Sequence, residues 1–269
     1  MTTWQPYSSR HTPHTVTGDV RVYPMLNSPQ LGNRRDILVY LPPTYATSDR
    51  RYPVLYMHDG QNLFDMHTSY AGEWRVDETM EALSHEGIEA IVVGIPNSGE
   101  RRVHEYSPFE KEDESEGQGA LYMRFVVETV KPLVDSTFRT LPGREYTGLA
   151  GSSMGGLISL YGLYQHLDVF STAGVISPAF WFGDLEIFPL IEKAAFVPGK
   201  IWLDVGTKEG DEQVSQAYLL GAQRMRDILL AKDYRMGDTL HYLEDEGGIH
   251  NEADWARRLP DILRFLLRR

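Results

Sequence analysis

The stretch Thr147-Gly148-Leu149-Ala150-Gly151-Ser152-Ser153-Met154-Gly155-Gly156 decides the fold. The run from Glu145 to Ala150 is typical of a buried strand, and the Leu- and Tyr-rich run from Gly156 to Gln165 is typical of a helix. A G-x-S-x-G pattern centred on Ser153 lies between them, so the chain must turn sharply there from strand to helix. Side chains two residues away on either side would collide in such a turn, which accounts for the flanking glycines. We therefore predict that Ser153 is a nucleophile whose hydroxyl is lifted above a sheet.

The rest of the chain alternates strand-like and helix-like segments. This pattern predicts an α/β fold of the α/β-hydrolase type, with a mostly parallel central sheet and helices on both faces. We interpret residues 1–269 as a single domain, with 1–35 as N-terminal edge strands or an extension. Predicted strands are 36–41, 52–57, 90–95, 145–150, 172–177, 201–205 and 239–243. Predicted helices are 119–134, 156–165 and 251–267, the last containing Pro260, which can kink or break a helix.

Composition excludes several classes of function. The chain has 26 Lys and Arg against 38 Asp and Glu, a net charge of −12, which disfavours nucleic acid and anionic membranes as partners. It has no cysteine, so disulfides, thiolate metal sites and a Cys nucleophile are excluded. Its first residues lack the pattern of a signal peptide, and no run of ~20 apolar residues could cross a membrane. We expect a cytoplasmic protein.

A serine nucleophile needs a base, and the base needs an acid to orient it. In α/β-hydrolases the order along the chain is serine, acid, histidine. His250 fits as the base, because it follows the last predicted strand in a Gly-rich segment, 245–250, that we expect to be a loop. The acid should follow the strand at 201–205. We favour Glu209, and Asp211 is the second choice because it could instead cap the next helix.

The tetrahedral intermediate of acyl transfer needs two backbone donors for its oxyanion. We assign the N–H groups of Met154, next to the nucleophile, and of Gln61, in the turn after the strand at 52–57. His58 and Asp59 in the same turn are expected to hold it in shape by hydrogen bonds. Residues on loops near the carboxyl ends of the strands are predicted to contact substrate. They are Asn62, Trp74, Phe180 and Trp181.

Four segments together resemble the family called Putative esterase. They are Pro53-Val54-Leu55-Tyr56-Met57-His58-Asp59-Gly60-Gln61, Gly148 to Gly156, Ser177-Pro178-Ala179-Phe180-Trp181 and Gly248-Ile249-His250. That family includes enterochelin esterases, feruloyl and acetyl-xylan esterases, esterase D and mycolyltransferases. The resemblance implies Ser153 as nucleophile, His250 as base and an acid in a Gly-Thr-x-Asp/Glu pattern. Here the pattern is Gly206-Thr207-Lys208-Glu209, with Glu where the family more often has Asp.

We therefore expect a serine hydrolase that cleaves carboxylic esters through an acyl-enzyme. Its substrate is expected to be a small-molecule ester, with no cofactor and no metal. Two alternatives stay open at this point: transfer of the acyl group to an acceptor other than water, and a non-catalytic binding protein on the same fold. The acidic segment 109–119 is expected to be an exposed loop or a lid. The sequence does not specify the ester or the oligomeric state.

Overall fold

The computed structural model describes residues 3–10, 12–109 and 117–268. Most of the acidic segment, 110–116, therefore lies outside the described residues, and the expectation of a loop or a lid stays a prediction. Within the described ranges, no helix combines the length and the apolar character that crossing a membrane requires.

Nine strands of the described chain form one sheet in the order β1-β2-β3-β5-β4-β6-β7-β8-β9. They are β1 (Gln5–Pro6), β2 (Asp19–Ser28), β3 (Asn33–Leu41), β4 (Val54–His58), β5 (Ile91–Ile95), β6 (Thr147–Ser152), β7 (Thr172–Ile176), β8 (Lys200–Lys208) and β9 (Leu240–Ile249). The pairings among β4 to β9 are parallel, whereas β1, β2 and β3 pair antiparallel at one edge. The mostly parallel sheet predicted from the sequence is confirmed.

The described chain contains eight α-helices, seven between the strands and the eighth after the last strand. They are α1 (Val76–Ser84), α2 (Arg102–Tyr106), α3 (Gly119–Phe125), α4 (Lys131–Thr137), α5 (Met154–Gln165), α6 (Ile187–Lys193), α7 (Glu212–Ala231) and α8 (Glu252–Leu267). A π-helical segment, Val126–Val130, joins α3 to α4. Pro132 lies in the first turn of α4 and has no N–H to donate backwards, which accounts for the local change of helical pitch.

Buried side chains cover both faces of the sheet. On one face, residues of α3, α5 and α7 pack against the sheet, for example Tyr122, Leu157 and Met225. On the other face, Met80 of α1 and Leu259 of α8 pack against it. Strands β4 and β5 are buried at every position, which requires the continuous apolar runs seen in the sequence.

The structure differs from the sequence-based expectation near the C-terminus. The Gly-rich segment predicted as a loop belongs mostly to β9, which pairs with β8 as far as Ile249 through a bulge. A Cβ on Gly206 would lie 2.3 Å from the carbonyl oxygen of Gly248, so only glycine permits this approach of the two strands. Helix α8 continues through Pro260. For helix α7 the sequence analysis considered only a cap at Asp211 and gave no bounds, although Tyr218, Ala222, Met225 and Leu229 bury one helical stripe of it.

The strand order opens a crevice above the sheet. The chain leaves β4 for β5 on one side, and the next strand along the sequence, β6, lies on the other side of β4. Connections that diverge in this way leave room above the carboxyl ends of the two strands, where α/β proteins bind ligands. The turn at Gly60–Asn62 follows β4 here, and Ser153 follows β6.

Gly60 provides a test of this packing. A Cβ at Gly60 would lie 2.6 Å from backbone atoms of Gly94 and Ile95, which cannot move without displacing β5. We expect Gly60→Ala to lower the free energy of unfolding by about 3 kcal/mol. The control is Gly221→Ala in the middle of α7, where the nearest atoms lie at 3.5 Å and beyond. It should raise the free energy of unfolding by about 0.5–1 kcal/mol, as measured by urea denaturation; equal effects would contradict the packing described here.

Candidate active site

Ser153 lies in a strained turn between the last residue of β6 and the first residue of α5. Its backbone has φ 59° and ψ −121°, a conformation that non-glycine residues rarely adopt. Backbone hydrogen bonds hold it there: Ser153 N donates to Ile176 O at 3.0 Å, and Ala179 N donates to Ser153 O at 3.0 Å. Strain that the surroundings enforce in this way is typical of functional residues.

The two glycines of the motif differ in how closely the chain packs on them. A Cβ on Gly151 would lie 3.0 Å from the carbonyl carbon of Gly155 and equally close to Cδ2 of His58. A Cβ on Gly155 would lie 3.4 Å from Asp59 and His58, an ordinary contact distance. The steric reason for G-x-S-x-G given in the sequence analysis therefore agrees with the geometry at Gly151 but not at Gly155.

The structure brings Glu209 and His250 together. Oε2 of Glu209 lies 2.5 Å from Nδ1 of His250, and the carboxylate is fully buried. The pair forms because β8 and β9 are parallel neighbours, so the residues that follow them reach the same edge of the sheet. Asp211, the second choice for the acid, instead accepts a hydrogen bond of 2.9 Å from Val214 N and caps helix α7.

The other oxygen of Glu209 is fixed by donors from two elements. Gly206 N donates to Oε1 at 2.5 Å, and Ser177 Oγ donates to it at 2.7 Å. Ser177 Oγ in turn accepts hydrogen bonds from Trp255 Nε1 at 3.1 Å and from Arg258 Nη2 at 3.0 Å. The Ser177 hydroxyl thus donates one hydrogen bond to Glu209 and accepts two from helix α8. It links the carboxylate to that helix and restricts the rotation of the Glu209 side chain.

Arg258 extends this network beneath the site. Its guanidinium is almost completely buried and lies 3.2 Å from Asp204 and 2.7 Å from Asp245. Burial raises the pKa of Asp204, while the charge of Arg258 and a hydrogen bond from Trp202 oppose that change. A buried cation with two carboxylates is stable only while every partner remains, because breaking such a cluster leaves an uncompensated charge.

A cavity of about 940 Å³ opens over the Ser153 turn. Its walls come from the turn after β4 and the loop that follows it, the segment between β5 and the start of α2, the Ser153 turn, and His250 with the start of α8. The lining residues are Asp59, Gln61, Asn62, Thr68, Ser69, Tyr70, Ala71, Asn97, Gly99, Glu100, Arg102, Val103, Ser152, Ser153, His250, Glu252 and Trp255. Ser153 and His250 therefore face the same space.

The two predicted oxyanion donors lie in positions compatible with that role. Met154 is the first residue of α5, and the first N–H groups of a helix have no partner within the helix. Gln61 lies in the wall of the cavity, where its side-chain oxygen accepts a 3.1 Å hydrogen bond from Asn97 N. Their assignment as oxyanion donors stays a prediction.

The predicted substrate contacts divide into two groups. Asn62 lines the cavity, and its Nδ2 donates to Glu252 Oε1 at 3.2 Å. Trp74 and Phe180 are only 2% and 1% exposed, and they pack against Trp255 and Phe188 respectively. Because protein surrounds both rings, the structure does not support a direct contact of Trp74 or Phe180 with substrate. The prediction relied on their position in loops, whereas both side chains pack into the core.

Trp181 is 49% exposed. Its ring contacts that of Tyr218, a residue near the nucleophile that the sequence analysis did not identify. Tyr218 lies on α7, and its ring centroid lies 5.1 Å from that of His250. Burial raises the pKa of Tyr218, and hydrogen bonding with Trp181 and Ser153 opposes that change. A tyrosine on a helical stripe resembles ordinary core packing in the sequence, so only tertiary structure reveals that it borders the nucleophile.

Asp59 shapes the turn after β4 by hydrogen bonds. Its backbone has φ 56°, and its carboxylate accepts two 2.7 Å bonds from Arg102 and one of 2.6 Å from Asn97 Nδ2. Its own N–H donates to Tyr106 Oη at 3.0 Å. These bonds are those expected of a residue that holds the turn, as the sequence analysis proposed for Asp59.

His58 is completely enclosed at the end of β4. Its Nδ1 lies 2.7 Å from Tyr122 Oη. Burial lowers the pKa of His58 to about 4; Asp59 raises the pKa and Arg102 lowers it, both by smaller amounts. The imidazole is therefore neutral at pH 7 and acts as a packed, hydrogen-bonded part of the turn.

Comparison with known proteins places the chain in a family of esterases. Residues 28–266 match the family described as Putative esterase, and the chain belongs to that family. The resemblance noted in the sequence is thus confirmed.

Individual relatives are similar over nearly the whole chain. The protein named uncharacterized protein YbbA of Bacillus subtilis (strain 168) is 25% identical over 251 residues, which cover 90% of this chain and 95% of YbbA. The crystal structure of BES protein from Bacillus cereus has a TM-score of 0.73 at 22% identity, covering 95% and 97% of the two chains. An IroE-like serine hydrolase from Shewanella oneidensis has a TM-score of 0.70 at 20% identity, covering 90% and 78%. The α/β-hydrolase fold is confirmed.

The buried His58 generates a prediction about pH. Its folded-state pKa of about 4 lies below the ordinary histidine value of 6.5, so the unfolded chain takes up the proton first as the pH falls. The stabilising contribution is complete above pH 6.5 and is lost as the pH falls toward 4, by about 3 kcal/mol. Urea denaturation from pH 7.5 to 4 should show this loss, and His58→Gln should reduce the slope. Identical slopes in the two proteins would contradict it.

Proposed function

We propose that this protein is a serine hydrolase that cleaves carboxylic esters by a Ser153–His250–Glu209 triad. The observation that carries the proposal is the buried Glu209 carboxylate 2.5 Å from His250 Nδ1, at the cavity that Ser153 also lines. Membership of an esterase family supports the same reaction class. The acid–base pair and the strained serine are two of the features that an activated nucleophile needs, and both Ser153 and His250 line the cavity.

In the proposed first half-reaction, His250 Nε2 removes the proton of Ser153 Oγ while that oxygen attacks the ester carbonyl carbon. Glu209 Oε2 holds the Nδ1–H of His250 and stabilises the imidazolium that forms. The N–H groups of Gln61 and Met154 bind the oxyanion. His250 then gives its proton to the leaving alcohol as the carbon–oxygen bond breaks, and an acyl-enzyme on Ser153 remains.

In the second half-reaction, His250 removes a proton from water, and the resulting hydroxide attacks the acyl carbon. The tetrahedral intermediate collapses, His250 returns the proton to Ser153 Oγ, and the carboxylic acid leaves. A cavity of about 940 Å³ has the size of a small-molecule site, which supports a small ester as the substrate. Acyl transfer to another acceptor would differ only in the molecule that takes the place of water.

An activated serine can be tested with a fluorophosphonate probe, which loses fluoride when a serine oxygen attacks phosphorus. We expect one adduct on Ser153, mapped by mass spectrometry, and none in Ser153→Ala. Hydrolysis of a p-nitrophenyl ester should fall by about 10⁶-fold in that variant. The matched control is Ser152→Ala, which removes the adjacent hydroxyl and should still be labelled.

Either of two results would contradict the proposal: a folded protein that is never labelled, or equal labelling of the Ser153→Ala variant. If labelling occurs, the ester assay repeated with an added alcohol acceptor separates hydrolysis from transfer. A hydrolase releases mainly the free acid, whereas a transferase releases mainly the new ester.

The acid can be tested by a matched pair of amide substitutions. Glu209→Gln keeps the size of the side chain but removes the charge that orients His250, so kcat should fall by about 10³- to 10⁴-fold. Asp211→Asn changes the cap of α7, where Asn is an equally good capping residue, so kcat should stay within about threefold and stability should be nearly unchanged. A larger loss of kcat in Asp211→Asn than in Glu209→Gln would refute this assignment.

A further inference from the structure

A second group of carboxylates lies where α1 begins, outside the lining of the cavity. Its members are Glu73, Asp77 and Glu78, and one oxygen from each lies within 4.8 Å of an oxygen of the others. Glu73 is 6% exposed and Asp77 is 0% exposed, whereas the side chain of Glu78 reaches the surface in part. The group is therefore a mostly buried site with one member open to solvent.

Each of the three carboxylates uses one oxygen to accept a hydrogen bond from the protein. The donors are Thr15 Oγ1 to Glu73 Oε2 at 3.1 Å, Thr17 N to Asp77 Oδ2 at 2.6 Å and Arg75 Nε to Glu78 Oε1 at 3.3 Å. These bonds fix the orientation of the carboxylates without using the second oxygen of any of them.

The second oxygens are all buried without a hydrogen-bond partner among the described residues. They are Glu73 Oε1, Asp77 Oδ1 and Glu78 Oε2. A buried acceptor without a donor costs about 1–3 kcal/mol, and more when it is charged. Three such oxygens in one small group indicate that a positively charged species satisfies them together.

The helix N-terminus explains only part of this arrangement. Asp77 and Glu78 lie in the first turn of α1, where acidic side chains interact favourably with the helix dipole. Glu73 precedes the helix and gains no such benefit from its first turn. The helix dipole supplies no hydrogen-bond donor to the three unpaired oxygens, so their burial needs a separate explanation.

We propose that Glu73, Asp77 and Glu78 bind one hard divalent cation, with Ca²⁺ preferred over Mg²⁺. When all three carboxyl groups are ionised they carry a charge of −3, and among the described residues the one cationic side chain bonded to them, that of Arg75, is largely exposed. An all-oxygen donor set matches both cations. The smaller Mg²⁺ keeps its water molecules and demands octahedral geometry, whereas Ca²⁺ accepts irregular, largely dehydrated carboxylate sites.

A cation here would stabilise the wall of the cavity from behind. The segment that carries Glu73 continues into Trp74, whose N–H donates to Asn62 O at 2.8 Å and whose ring packs on Trp255. Both Asn62 and Trp255 line the cavity. The same carboxylates bind Thr15 and Thr17, so the cation would also fasten the N-terminal segment to α1.

The test uses the full chain, freed of metal by a chelator and dialysed at pH 7.5. Isothermal titration with Ca²⁺ should show one ion bound per chain, and saturating Ca²⁺ should raise Tm by about 3 °C or more. Mg²⁺ should bind more weakly. The measurement does not involve Ser153, so its outcome is independent of the proposed esterase activity.

Variants identify the ligands. Asp77→Asn and Glu78→Gln should each weaken Ca²⁺ binding by at least about tenfold, because fewer charged ligands remain. Glu78 is partly exposed, so its variant serves if the Asp77 variant does not fold, as judged by circular dichroism. Asp49→Asn, an exposed residue elsewhere, removes the same charge and should bind Ca²⁺ as the unaltered protein does.

Two results would overturn the proposal. One is no saturable binding of either cation by the unaltered protein; if metal-free Asp77→Asn then also has a raised Tm, the carboxylates share protons instead. The other is unchanged Ca²⁺ binding in the variants.

Discussion

The backbone of Ser153, at positive φ between β6 and α5, is the constraint on which the geometry of the cavity depends. A strained residue persists only where its surroundings enforce it. Here Ile176 and Ala179 hold its N–H and carbonyl groups, and Gly151 lets the end of β4 approach. The same turn starts α5, and a helix N-terminus stabilises negative charge of the kind that would develop in the proposed reaction.

The second organising feature is the chain of buried polar groups behind His250. Glu209 is fixed by Ser177, which accepts bonds from Trp255 and Arg258 of α8. Helix α8 therefore does more than cover the sheet. Through Ser177, its side chains help to orient Glu209, which contacts His250 just before the helix begins. Such a network stabilises one arrangement strongly only when all its members are satisfied.

Two acidic regions with different partners support the wall of the cavity. Asp59 is paired with Arg102 and shapes the turn after β4. Glu73 and its neighbours have no comparable cationic partner within the described ranges, and their segment supports the opposite side of the same wall through Trp74. A site built on loops gains precision when both sides are braced in this way.

The sequence alone determined the parallel α/β organisation, the Ser153 turn and its glycines, because strand, helix and turn signals there are local and agree with one another. It narrowed the candidates for the acid to Glu209 and Asp211, two positions apart. Only the pairing of β8 with β9 decided that Glu209 meets His250 while Asp211 caps α7. Tertiary structure alone enclosed Phe180, brought Tyr218 beside His250 and gathered the carboxylates around Asp77. The physical reason is that burial and side-chain encounters depend on how distant segments pack, which no local pattern encodes.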